Sequence, residues 1–179
     1  MGSRLFPRLI FWHLGLATVI VYVTLGRRRI DYRFILIGAI LPDAVDGLLG
    51  LFLFDGPSGR WVAHSILAVV VVAVLIILGL KGERRQSIFG VAVGWLLHLV
   101  ADGMWGAPLT FLWPAFGTAF SATPAEPYSW DVLLRPWDHL GTWAGEVVGA
   151  AILAWFWVAF ELSKGDRFRR FLRDGYLRP

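Results

Sequence analysis

The run Ala68-Val69-Val70-Val71-Val72-Ala73-Val74-Leu75-Ile76-Ile77-Leu78-Gly79-Leu80 holds no polar side chain. With the residues back to about Trp61 it is long enough for one membrane crossing, which takes roughly 20 mostly apolar residues. Four further segments read the same way: about Leu5 to Leu25, Phe34 to Phe54, Ile88 to Trp105 and Leu140 to Glu161. The composition agrees. Of the 179 residues 57% are hydrophobic and 17% charged, against about 45–50% and about 25% in soluble domains. An all-α, polytopic membrane bundle of about five transmembrane helices follows, as one domain over residues 1–179.

The absence of cysteine excludes disulfides, thiolate metal sites and cysteine nucleophiles. A net charge of +4 and a pI near 10.0 would suggest nucleic acid in a soluble chain. Here the basic residues form short runs between apolar segments, so they read as topology signals and no nucleic-acid partner is expected. Arg27, Arg28, Arg29 and Arg33 follow the first segment. Lys81, Arg84 and Arg85 follow the third, and six more lie between Lys164 and Arg178. With five crossings these share one side, which the positive-inside rule makes cytoplasmic. The N-terminus is then outside and the basic tail, residues 164–179, inside. The first segment, followed by Gly26-Arg27-Arg28-Arg29, is expected to be retained rather than cleaved. The stretch from Gly106 to about His139, rich in aromatic residues, Pro and Gly, is expected on the outer face. Gly90 and Gly94, four apart, serve helix packing.

Ionisable residues interrupt these apolar segments. They are His13, Asp43, Asp46, His64, His98, Asp102, His139 and Glu146. Insertion scales put such groups at roughly 2.5–3.5 kcal/mol each at a helix centre, and they usually mark function. His98 and Asp102 lie one turn apart on one helix face. His139 and Glu146 are seven apart. Asp43 and Asp46 follow Pro42, which breaks the helical ladder where the carboxylates must turn inward. In the assigned topology all eight lie within about 15 Å of the outer surface at 1.5 Å per residue. Imidazole and carboxylate ligands without thiolate suit Zn²⁺ first, with Mn²⁺ or Fe²⁺ as alternatives. Eight ligands would hold two or three ions sharing a carboxylate. Asp46 or Glu146, where not a ligand, is the candidate general base.

Several of these residues sit in recognisable pieces: Gly38-Ala39-Ile40-Leu41-Pro42-Asp43-Ala44-Val45-Asp46, Ala63-His64-Ser65, and Gly94-Trp95-Leu96-Leu97-His98-Leu99-Val100-Ala101-Asp102, preceded by His13. Together they resemble the YdjM-like family of small bacterial inner-membrane proteins, described as metal-dependent hydrolases. The likeness runs from His13 to about Pro114. The family often has Arg-x-x-Thr-His-Ser, where this chain has Ala63 before His64. More distantly, the order His, Asp, His, His-x-x-x-Asp, His, Glu is similar to that of zinc-dependent phospholipase C and P1-type nucleases. That likeness implies that His13, Asp43 or Asp46, His64, His98, Asp102, His139 and Glu146 are metal ligands. It departs at the last pair, which is His-x-x-x-Glu in those enzymes.

The expected activity is hydrolysis of a phosphoester of a membrane lipid or lipid-linked substrate by a metal-activated water. The site would open to the outer face of a cytoplasmic membrane. A metal or proton transporter is the first alternative. It would need polar groups through the inner halves of the helices, and those of the first, third and fifth segments are almost wholly apolar. A non-catalytic protein in which metal only ties helices together is the second.

Overall fold

The computed structural model describes residues 10–25, 30–52, 59–121 and 140–177. Among them every regular element is helical. The α-helices are α1 (Phe11–Leu25), α2 (Tyr32–Gly38), α3 (Leu41–Phe52), α4 (Ile66–Gly79), α5 (Gly82–Ile88), α6 (Gly90–Ala101), α7 (Pro108–Phe111), α8 (Leu140–Ala159) and α9 (Gly165–Asp174). Two 3₁₀ turns, Val62–His64 and Met104–Gly106, precede α4 and α7.

No helix among the described residues is long and apolar enough to cross a membrane. This corrects the expectation of one long helix per apolar segment. The second segment divides into α2 and α3. Pro42 has no N–H to give the Gly38 carbonyl, so the ladder is interrupted as the chain passes from one to the other. The third starts with a 3₁₀ turn, because Ser65 turns back to accept the Ala68 N–H at 3.2 Å and caps α4 there. The fourth stops at Ala101, and Gly103 takes a left-handed conformation, φ 62°, that closes it.

Helix α6 is central and packs against α2, α1 and α4. Glycines make the closest approaches. A Cβ on Gly94 would collide with the Ile35 carbonyl oxygen, and one on Gly38 with that of Val91. The contact of α1 with α8 has the same design. A Cβ on Gly15 would stand 2.6 Å from the Gly149 oxygen. The glycine spacing therefore works as helix packing, as the sequence suggests.

Two apolar clusters flank α6. Tyr32, Ile35 and Ala39 pack with Ala17 and Val21. Trp95, Leu99 and Met104 pack with Ala63, Val69 and Ala107. Within the second cluster the Trp95 indole donates to the Ala63 carbonyl at 2.7 Å. Trp95→Phe keeps most of the packing but strands that buried acceptor. It should cost about 1–3 kcal/mol, read by denaturant titration in detergent. A loss within about 0.5 kcal/mol would mean the bond contributes nothing net.

Candidate metal centre

His98 is the hub. It lies on α6, fully buried. Its Nδ1 is 2.8 Å from the Ala39 carbonyl oxygen, at the junction where α2 gives way to α3. A carbonyl can only accept, so Nδ1 carries the hydrogen and Nε2 of the neutral ring presents a lone pair. His64 is fully buried too, at the end of the first 3₁₀ turn. Its Nδ1 lies 2.6 Å from Asp46 Oδ2, which fixes the same tautomer. The two Nε2 atoms face each other at 3.3 Å.

Carboxylates close around this pair. Asp43, in the first turn of α3, brings Oδ1 to 3.4 Å from His64 Nε2 and 3.7 Å from His98 Nε2. Asp102 follows α6 and brings Oδ2 to 3.4 Å and 3.8 Å of the same two atoms. His13, in the first turn of α1, places Nε2 3.1 Å from Asp102 Oδ1. Its ring stacks on that of His98 with centroids 4.2 Å apart. Bonds of about 2.0–2.2 Å to one ion put its ligand atoms about 3–3.5 Å apart. Two groups each bring one ligand atom per residue within 4.8 Å of one another: His13, His98 and Asp102, and Asp43, His64 and His98. The fold thus contains His/Asp groups that could hold a metal ion, drawn together from α1, α3, the 3₁₀ turn and α6.

The remaining sequence candidates lie elsewhere. Asp46 belongs to neither group. It is fully buried, and its carboxylate accepts the Trp61 N–H at 2.6 Å, the Ala63 N–H at 2.9 Å and the His64 ring. It therefore ties the 61–64 turn to α3 and orients an imidazole, the arrangement found behind metal-bound histidines. Glu146 also stands outside both groups, with its carboxylate on the N–H groups of Phe11 and Trp12. His139, with residues 122–138 of the stretch expected on the outer face, lies outside the described residues.

Sequence reasoning missed two participants. Arg60 brings Nε to 3.2 Å from Asp102 Oδ2. In sequence it stands at the head of the Arg-x-x-Thr-His-Ser pattern, four residues before His64, and that place is the available signal. The Ala39 carbonyl had none beyond its nearness to Pro42.

The family model of the YdjM inner membrane protein matches residues 10–168. That range contains every residue of both groups. No curated protein and no solved structure matches the chain.

Proposed function

Because the chain belongs to the YdjM inner membrane protein family, we propose that it is a membrane-embedded, metal-dependent hydrolase acting on a phosphoester of a lipid or lipid-linked substrate. One observation carries this proposal. Two buried imidazoles whose Nδ1 hydrogens are already committed point lone pairs at each other across 3.3 Å. Lone pairs so placed repel unless a cation lies between them. A proton would serve one such pair. Two carboxylates at 3.4 Å add negative charge that a divalent ion balances better.

The ligands in this proposal are His13, Asp43, His64, His98 and Asp102. Zn²⁺ fits the nitrogen and oxygen donors best, with Mn²⁺ or Fe²⁺ as alternatives. A divalent ion held there would supply Lewis acidity and a water acidified toward neutral pH. The chain's own residues do the rest. Asp46 and the Ala39 carbonyl hold two imidazoles in the ligating tautomer. Arg60 keeps a planar cation beside the group, suited to a phosphate oxygen.

The lipid part rests on the family and on the surface. Helices α4 and α8 turn large apolar side chains outward, among them Leu75, Leu78, Val147 and Val158 at 65%, 76%, 64% and 74% exposure. Such faces suit hydrocarbon. In the proposed arrangement five apolar segments cross the membrane, with α2 joined to α3 in one and the first 3₁₀ turn joined to α4 in another. The site opens outward.

The test is metal content by mass spectrometry on the detergent-purified chain, then hydrolysis of phospholipids and isoprenoid phosphates. Stoichiometric metal and a hydrolysis that chelation stops and zinc restores are expected. A chain that stays metal-free after zinc and manganese reconstitution would overturn the proposal. Bound metal with no phosphoester cleaved would leave only a structural centre.

A further inference from the structure

Glu146 is a carboxylate only 5% exposed on a helix, α8, that contributes no residue to either metal group among the described residues. Burying such a group is costly unless its oxygens are satisfied. Oε2 accepts the N–H of Phe11 at 2.8 Å, and Oε1 that of Trp12 at 3.0 Å. These are the first two N–H groups of α1, which no carbonyl inside that helix can reach. A negative charge there is also favoured by the helix dipole. Glu146 therefore caps α1 from a different helix.

His13 is the next residue along. It stands in the first turn of α1, where helices fray, yet it must hold Nε2 at 3.1 Å from Asp102 and its ring against His98. Nearby contacts set the same register. A Cβ on Gly149 would collide with the Phe11 carbonyl, Gly145 leaves room for the Trp12 ring, and the Trp12 indole donates to the Ala101 carbonyl at 3.3 Å. We infer that Glu146 is a positioning residue: by capping α1 it holds His13 in the group with His98 and Asp102. This rests on the proposed metal site.

A double-mutant cycle with Co²⁺ as the probe tests it in the full chain in detergent. Glu146→Gln keeps the shape but loses the charge and one good acceptor. It should weaken Co²⁺ binding about 10–100-fold, the usual loss for a residue behind a ligand. In a His13→Ala background the same change should cost less than about twofold, because the residue it acts through is gone. Affinity within about twofold of wild type in the single variant would overturn the inference. So would a full further loss in the His13→Ala background, since Glu146 would then act directly. Hydrogen exchange on metal-free protein gives a second reading. At least one of the Phe11 and Trp12 amides should exchange at least about 10-fold faster in Glu146→Gln, and unchanged exchange at both would refute the cap. If wild type binds no Co²⁺, the metal site fails, and this exchange result alone decides the cap.

Discussion

His98→Ala should empty both groups of the proposed metal site at once. His98 is the member they share, so its loss leaves two candidate ligands on each side. Removing a residue behind a ligand already costs about 10–100-fold in affinity, so deleting the shared ligand should exceed about 100-fold, or roughly 2.7 kcal/mol. His13→Ala, which touches one group, should leave the ion of the other in place. Both variants should be measured for bound zinc by mass spectrometry beside wild type, with circular dichroism as the check on folding. The truncation also strands the Ala39 carbonyl, which accepts from the His98 ring. Some loss of stability is therefore expected, about 1–3 kcal/mol for a buried acceptor left alone. A folded His98→Ala chain carrying wild-type zinc would show that the facing imidazoles are not where metal binds.

Much of this site was legible because helical spacing is local information. His98 and Asp102 share a face by arithmetic, and Pro42 announces a break near Asp43. The division of labour between Asp43 and Asp46 was not legible. Three residues apart on α3, they read alike. Yet Asp43 faces the Nε2 side of both imidazoles, while Asp46 meets the backbone of the 61–64 turn and the Nδ1 side of His64. That choice is made by where the turn packs, which no spacing encodes. The place of Glu146 was not legible for the same reason. A buried carboxylate in an apolar helix suggests a ligand, and only the crossing of α8 over the start of α1 reveals two backbone donors waiting for it. Helix lengths failed differently. Hydropathy measures how apolar a stretch is, not whether its ladder is continuous. Pro42, Ser65 and Gly103 cut three segments that look uniform by composition.

Gly94→Val should separate α2 from α6 and take the proposed metal site with it. The obstacle at Gly94 is backbone: the Ile35 carbonyl lies on the spot a Cβ would occupy, and the Ala39 nitrogen lies 2.9 Å from it. No side chain can swing aside, so one helix must move. Overpacking of this kind costs about 1–3 kcal/mol where side chains can adjust, and at least the upper end is expected here. The displacement falls next to the junction that anchors His98, because its Nδ1 bonds the Ala39 carbonyl. Bound zinc should fall even in the fraction that stays folded. Gly47→Ala is the matched control. It sits on α3 with nothing within 4 Å of its Cβ position, and adding the methyl in a helix should stabilise by about 0.5–1 kcal/mol. Denaturant titration in detergent with zinc content on the same samples reads both. If Gly94→Val proved as stable and as metal-loaded as Gly47→Ala, the α2–α6 crossing could not be what holds the Ala39 carbonyl to His98.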